Sequence, residues 1–243
     1  MKLHLTSTSN LGDFCNALPV LSGIAKQTNE KITLTVRSDL RKFNGFKDFL
    51  MYQDIFEDII FDDEVLTFGD PIRISSWPMR LDKNTPTRPI ETCRYENWML
   101  DHYDMKIEVD DDFEIKVKPM EVPKTYVHLV GDRWSKREDP NVDARRNSNV
   151  VEHGAKPDPT KVLYLNYTNS IMFNCNLIKN STKPFITTFT GIGIIADLMN
   201  KETIVCWDED MRTWDGHSVE FDFERHYYTD RKAKLVHVKD LAL

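Results

Sequence analysis

Short β-rich segments alternate with segments of helical apolar spacing in both halves of the chain, and this alternation is the strongest constraint on the fold. In the first half the predicted strands are residues 2–8, 31–36, 55–61 and 72–76, and the predicted helices are 14–24, 40–51 and 90–103. In the second half the predicted strands are 125–130, 162–166, 185–189 and 203–207, with helices near 170–179 and 191–200. Such alternation predicts the α/β class, with parallel sheets and crossover helices.

A break between the two halves falls near residue 120. The acidic stretch 108–114 and the segment KPMEVPK at 118–124 are typical of a linker. We therefore expect two Rossmann-like lobes, residues 1–120 and 121–243. The net charge of −7 divides into −6 on the first lobe and −1 on the second. The second lobe is accordingly the better host for an anion.

Composition excludes several classes of protein. With 40% hydrophobic and 29% charged residues, the chain can bury a core, which argues against wholesale disorder. We find no run of about 18 apolar residues and no apolar core of a secretory signal, so we expect a soluble cytoplasmic protein with no membrane partner. The acidic balance disfavours bulk binding to nucleic acid. Four widely spaced cysteines suggest buried, reduced thiols and neither disulfides nor a zinc site.

The loop after the first predicted strand is the first candidate site, because ligands of parallel sheets collect at the carboxyl ends of strands. It reads S-T-S-N-L-G-D at residues 7–13. Gly12 allows close backbone approach, and Asp13 stands at the start of the next helix. Two interpretations remain open at this point. Asp13 either faces a cleft between the lobes or only stabilises the amino terminus of its helix.

The stretch N-L-G-D-F-C-N-A-L-P-V-L at residues 10–21 resembles the S-x-G-D-x-x-x-x-x-P-x-L opening of heptosyltransferase-like glycosyltransferases, which have the two-lobed GT-B fold. Gly12, Asp13, Pro19 and Leu21 match, and Asn10 replaces the usual Ser or Thr. The resemblance implies that Asp13 is the general base that deprotonates the acceptor hydroxyl. It also implies an active site in the cleft between the lobes.

A second stretch, residues 184–207, is similar to the sugar-nucleotide segment of the same family, a strand followed by D-[ST]-G-x-x-H and a helix. Thr190 and Gly191 match, whereas Phe189 replaces the Asp and Ile194 replaces the His. The backbone N–H groups at the helix start are predicted to bind a pyrophosphate. The predicted contacts are Thr190, Gly191, Ile192 and Gly193, together with Gly12.

A third and weaker match is V-G-D-R-W-S-K-R at residues 130–137, where the family often has an aromatic and basic run beside the donor phosphates. The predicted donor contacts are Arg133, Trp134, Lys136 and Arg137. Positive groups there would hold the leaving diphosphate without a metal or a further cofactor, since the nucleotide-sugar is itself a substrate. The alternative is a solvated surface loop.

The sequence also allows interpretations other than a glycosyltransferase. The pattern G-x-G-x-x-A at residues 191–196, with Asp208 after the next strand, resembles a dinucleotide fingerprint and would indicate an oxidoreductase. Such fingerprints open their domain, and only 35 residues follow Asp208. Phe189 and Ile194 also allow a non-catalytic binding module of the same fold. The acidic D-x-D at 208–210 is more typical of a solvated loop than of a metal site.

The acceptor is expected to contact a basic loop of the first lobe, within residues 73–94. The predicted contacts are Arg73, Trp77, Arg80, Lys83 and Arg88, with Arg94 nearby. An Arg-rich loop with a tryptophan suits a DNA backbone and a flipped base, as in phage enzymes that glycosylate hydroxymethylated bases. It suits an anionic glycan equally well. The resemblance therefore implies an inverting hexosyl- or pentosyltransferase that uses a nucleoside-diphosphate sugar.

Overall fold

The computed structural model describes residues 1–4, 11–62, 87–122, 127–130, 162–165, 169–181, 185–187, 189–207 and 219–240. These residues form parallel β-sheets with helices between the strands, which confirms the α/β class. Among the described helices, none combines the length and the apolar character that crossing a bilayer requires.

The first sheet holds β1 (Lys2–His4), β2 (Ile32–Arg37) and β3 (Phe56–Asp62), parallel and in the order β1-β2-β3. Its helices are α1 (Leu11–Cys15), α2 (Leu18–Thr28), α3 (Phe46–Met51) and α4 (Ile90–Tyr103). β2 reads ITLTVR, whose β-branched residues suit a pleated surface. α2 begins with Pro19 in its first turn and ends at Asn29 with a left-handed φ of 55°, as helix ends commonly do.

The second sheet is also parallel, and its described strands have the order β5-β4-β6-β7-β8. The strands are β4 (Val127–Val130), β5 (Val162–Leu165), β6 (Phe185–Thr187), β7 (Thr203–Trp207) and β8 (Ala233–His237). The helices are α5 (Ile171–Lys179), α6 (Gly191–Leu198) and α7 (Val219–His226). Because β4 has β5 on one side and β6 on the other, the winding direction reverses between β4 and β6.

One contiguous hydrophobic core joins the two sheets. Buried side chains of β2, such as Leu34, belong to the same cluster as those of β7, such as Val205. Helices from the two halves pack in pairs, α1 against α6, α3 against α5 and α4 against α7. The two halves are thus joined by contacts between helices as well as by the shared core.

Residues 105–122, which we call the strap, have no regular secondary structure and bind both halves. Ile115 N–H donates to Leu198 O at 2.9 Å, and Lys116 N–H donates to Gln53 Oε1 at 2.8 Å. A side chain added at Gly23 in α2 would collide with the Glu108 carbonyl oxygen, which explains the glycine inside that helix. The segment predicted as a linker is therefore a packed connection in its described part.

Several predicted elements agree with the structure, and the differences have local causes. The predicted helix 90–103 and strand 203–207 coincide with α4 and β7. The predicted helix 40–51 is divided into a 3-10 turn, Ser38–Lys42, and α3, because Gly45 adopts a φ of 72°. The sequence patterns predicted neither α7, in which four of the eight residues are charged, nor β8, which has only five residues. The predicted strand 72–76 lies outside the described residues.

Candidate functional site

The carboxyl end of β6 leads into a capped helix start. Thr190, in extended conformation, is the N-cap of α6, and its Oγ1 accepts a hydrogen bond from Gly193 N–H at 3.3 Å. Thr187 and Thr190 also share a hydrogen bond between their hydroxyls at 2.9 Å. Among the described residues, the N–H groups of Gly191 and Ile192 have no acceptor. Of the predicted pyrophosphate contacts, Gly191 and Ile192 therefore each offer an N–H group to an anion, whereas the Gly193 N–H is used within the turn.

The same turn lies at the reversal of winding in the second sheet. β4 and β6 are hydrogen-bonded neighbours, with Leu129 opposite Ile186. Connections leave these two strands in opposite directions, which opens a crevice beyond their carboxyl ends in open α/β sheets. The turn at Thr190 follows β6 at that end. Topology thus puts this helix start where such folds bind their ligands.

Gly12 of α1 lies in contact with Gly191 of α6. A Cβ built on Gly12 would be 2.5 Å from Ile194 Cδ1 and 2.9 Å from Gly191 Cα, and one built on Gly191 would be 2.8 Å from Gly12 N. The two helix starts therefore meet backbone to backbone. Asp13, the predicted base, follows Gly12 within α1, and its side chain lies outside the described part of the structure.

Gly193 faces the protein interior. A Cβ there would collide with the hydroxyl of Tyr227 and would lie 3.0 Å from Thr187 Cγ2. The Tyr227 ring is fully buried and stacks on Phe223 with centroids 5.0 Å apart and planes at 8°. Gly193 is therefore needed for close packing of α6, which is a role separate from the predicted contact with a phosphate.

The two residues that depart from the family pattern are apolar, and each packs against another residue of the protein. Ile194, at the position of the usual His, is buried and its Cδ1 faces Gly12. Phe189, at the position of the usual Asp, lies edge-on to Tyr227 with ring centroids 6.4 Å apart. Neither side chain can donate or accept a hydrogen bond, so these two positions can offer a polar ligand only their backbone groups.

Arg88, a predicted acceptor contact, is held inside an ion-pair network. Its Nε and Nη2 bind the two carboxylate oxygens of Asp111 at 2.8 and 2.5 Å, and Nη1 binds Glu96 at 3.0 Å. The side chain is 11% exposed. A forked pair of this kind fixes the guanidinium. An acceptor contact by Arg88 would require these pairs to open.

Arg94 in the same basic stretch is also paired internally. Its Nη1 binds Glu91 Oε1 at 2.7 Å, and Arg225 Nε binds the same oxygen at 2.7 Å. Glu91 is 3% exposed in its side chain. Two basic groups of the predicted acceptor loop are thus neutralised by carboxylates of the protein, which lowers the charge that the stretch offers to a polyanion.

The remaining predicted contacts lie outside the described residues. They are Arg73, Trp77, Arg80 and Lys83 for the acceptor, and Arg133, Trp134, Lys136 and Arg137 for the donor. Asp208 and Asp210 also lie outside. Within the described ranges, His, Cys, Asp and Glu side chains form no group of three that would hold a metal ion.

Asp197 is a buried carboxyl that sequence reasoning missed. It lies in α6 with 1% exposure, and its Oδ2 accepts a hydrogen bond from Tyr228 N–H at 2.9 Å. Burial raises the pKa of Asp197 to about 7, although the Tyr228 hydrogen bond and Arg231 oppose the shift. Arg231 donates to Asp197 O and also to the strap at Phe113 O. The apolar surroundings of a single Asp in α6 gave no sequence signal of this role.

Asn16, in the turn that follows α1, is a second buried polar residue that the motif did not indicate. It is 1% exposed, and neither atom of its side-chain amide has a hydrogen-bond partner within the described residues. Its backbone oxygen accepts a hydrogen bond from Thr92 Oγ1 at 3.0 Å. A buried amide of this kind is open to a bound water or a polar ligand group.

The four cysteines are buried, and no disulfide joins them, which confirms the prediction of buried thiols. Burial raises the pKa of Cys93 to about 11 and the pKa values of Cys175 and Cys206 to about 12. These three thiols stay protonated at neutral pH, so they are poor nucleophiles and poor metal ligands.

Comparison with known proteins gives no relative for this chain. No protein-family model, no curated protein and no solved structure matches it. The class defined by fold and site is therefore an α/β protein with parallel sheets and a helix start at the winding reversal of the second sheet.

Proposed function

We propose that this protein is an inverting glycosyltransferase of two-lobed GT-B architecture, with lobes 1–120 and 121–243. The contact between Gly12 and Gly191 carries the proposal. It joins the loop expected to supply the base to the helix start expected to hold the donor. A transferase needs its base and its donor site close to the bond that is formed. These two stretches are about 180 positions apart in sequence, and the fold brings them into contact.

In the proposed reaction the Asp13 carboxylate takes the proton of the acceptor hydroxyl. The acceptor oxygen then attacks the anomeric carbon of the sugar, and the bond from that carbon to the diphosphate oxygen breaks. A single in-line displacement inverts the configuration. The N–H groups of Gly191 and Ile192, with the positive end of α6, stabilise the charge on the leaving diphosphate. The predicted basic run at Arg133, Lys136 and Arg137 would add to that stabilisation without a metal.

The acceptor in this proposal is a hydroxyl of an anionic molecule, either a hydroxymethylated pyrimidine in DNA or a glycan. Because Arg88 and Arg94 are paired internally, the positive charge for acceptor binding would come from Arg73, Arg80 and Lys83, and Trp77 would supply an aromatic contact. The wide spacing of the four cysteines predicts reduced thiols, which are typical of a reducing compartment, and we place the reaction in the cytoplasm.

A non-catalytic binding module of the same fold is the second candidate. It is favoured by Ile194 and Phe189, which place apolar side chains where the family has a His and an Asp. The oxidoreductase interpretation has less support, because its glycine pattern follows β6, which is the third strand of the second sheet along the chain, whereas such a fingerprint follows the first strand of its unit.

The test begins with thermal shifts of the full chain against a panel of nucleoside-diphosphate sugars, with NADH as the oxidoreductase arm. The bound sugar-nucleotide is then assayed for hydrolysis and for transfer to hydroxymethylated DNA and to anionic glycans. We expect Asp13→Asn to lose at least a hundredfold in turnover while it keeps donor affinity. The matched control is Asp48→Asn, an exposed carboxyl in α3. Donor binding without turnover in the wild type would favour the binding module, and a response to NADH alone would exclude the transferase.

A further inference from the structure

Trp207 and His237 form an aromatic pair at the ends of neighbouring strands. Trp207 is the last residue of β7, His237 is the last residue of β8, and the two are register partners. Their ring centroids lie 4.8 Å apart with planes at 86°. Both side chains are partly exposed. Because both rings are partly exposed, a further aromatic ring can stack on this pair.

The pair lies on the face of the second sheet that α6 covers. Thr187 Cγ2 lies 3.0 Å from the Cβ position of Gly193, so Thr187 faces α6. Val205 is the register partner of Thr187 and therefore shares that face. Side chains alternate along a strand, so Trp207, two residues beyond Val205, returns to the same face. His237, as the partner of Trp207, lies there as well.

The pair also lies at the same edge of the sheet as the start of α6. β6, β7 and β8 are parallel neighbours, so their carboxyl ends share one edge. Trp207 extends past the level of Thr187 by about 7 Å along the strand and lies one strand, or about 4.8 Å, to the side. The chain leaving Thr187 reaches Gly191 four residues later at that edge. An aromatic surface and a helix start thus share one face and one edge.

From this geometry we propose that Trp207, held by His237, is the platform on which the base of a nucleotide stacks while its phosphates meet the start of α6. The inference rests on the proposed function and adds the residue that binds the base. In an edge-to-face pair the imidazole covers at most one face of the indole, so at least one face of Trp207 is not used by His237. Stacking on such a ring accepts any base, since every base has a π-face.

His237 acts as a positioning residue. Its Nδ1 accepts a hydrogen bond from Lys239 N–H at 3.1 Å, which fixes the imidazole against the turn that follows β8. The fixed imidazole in turn orients the indole of Trp207 through their edge contact. The platform is therefore set before a nucleotide arrives, which lowers the entropy lost on binding.

The test compares nucleotides with a probe that has no base. Affinities of UDP, ADP, GDP, CDP and inorganic pyrophosphate are measured by calorimetry on the full chain and on Trp207→Ala. We expect the variant to lose roughly five- to hundredfold in affinity for the nucleotide that binds the wild type, and to keep the wild-type affinity for pyrophosphate. Trp207→Phe is expected to retain most of the nucleotide affinity. Circular dichroism verifies that each variant is folded.

The matched control is Tyr103→Ala, which removes a partly exposed ring from another edge-to-face pair, that of Trp98 and Tyr103 in α4. Equal nucleotide affinity in Trp207→Ala and the wild type overturns the platform and leaves the proposed function standing. A wild type that binds nucleotides no better than pyrophosphate also overturns it. If the wild type binds neither probe, the platform and the proposed function fall together.

Discussion

Gly12 and Gly191 touch backbone to backbone, with the Cβ position of Gly191 only 2.8 Å from Gly12 N. This contact joins the first helix of the chain to a helix of the second sheet. Neither position has room for a methyl group, because the nearest atoms include backbone on both sides. The close approach of α1 and α6 therefore requires glycine at both positions.

We expect Gly12→Ala to lower the free energy of unfolding by about 1–3 kcal/mol, because overpacking forces the helices apart. Adding Ile194→Val removes the Cδ1 that lies 2.5 Å from the new Cβ and should recover part of the loss. The remaining loss reflects the 2.9 Å approach to Gly191 Cα. Urea denaturation of both variants measures the effect, and wild-type stability in Gly12→Ala would contradict the close contact.

Gly193→Ala is expected to be destabilising for a different reason, since its methyl group would meet the hydroxyl of Tyr227. We expect a loss of about 1–3 kcal/mol. Tyr227→Phe removes the colliding oxygen, so the double variant should be more stable than the sum of the single effects predicts. Thermal and urea unfolding of the full double-mutant cycle give the coupling. Simple additivity would show that the two residues do not meet.

We expect Arg88→Ala to affect the stability of the protein more than the binding of an acceptor. The loss of charged hydrogen bonds to Asp111 and Glu96 is expected to lower the free energy of unfolding by about 1.5–3 kcal/mol. Arg88→Lys should recover little, because an ammonium cannot reproduce the two-pronged contact with Asp111. Chemical denaturation and acceptor KM are measured together. A changed KM with unchanged stability would instead assign Arg88 to acceptor binding.

Asp197 should make stability fall as pH rises. Its pKa is about 7 in the folded protein against a model-peptide value of 3.8, so between about pH 4 and pH 7 the folded state holds a proton that the unfolded state has released. The free energy of unfolding therefore decreases through that window, by a few kcal/mol at most. Above pH 7 both states are ionised and this contribution levels off.

Asp197→Asn should remove that slope, because an amide oxygen still accepts the Tyr228 N–H and carries no charge. The measurement is urea denaturation from pH 4 to pH 8, with exposed Asp48→Asn as the control. The difference between the wild type and Asp197→Asn isolates this carboxyl from other titrating groups. Parallel curves for the two proteins would show that Asp197 is not buried as described.

Local sequence patterns determined much of the fold. Period-two β-branched runs such as ITLTVR produced β2, and the apolar spacing of residues 90–103 produced α4. Gly12 was predicted to allow close backbone approach, and Gly191 was predicted to belong to an anion-binding helix start. These features depend on neighbouring residues, so they are visible in one dimension. The segment VEFDFERH, which forms α7, was not predicted as a helix. The apolar residues of its buried face are interspersed with charged residues, so the helical spacing was not recognised.

Only the tertiary structure decided what each of these features meets. That Gly12 faces Gly191, that Arg88 is bound by Asp111, and that Trp207 shares a sheet edge with α6 all follow from strand order and helix packing. Contacts between residues far apart in sequence depend on how all the helices and strands pack together. The same local pattern is compatible with several tertiary arrangements. The sequence alone thus predicted most of the α/β elements and the positions of a candidate site, whereas packing determined which residues those positions contact.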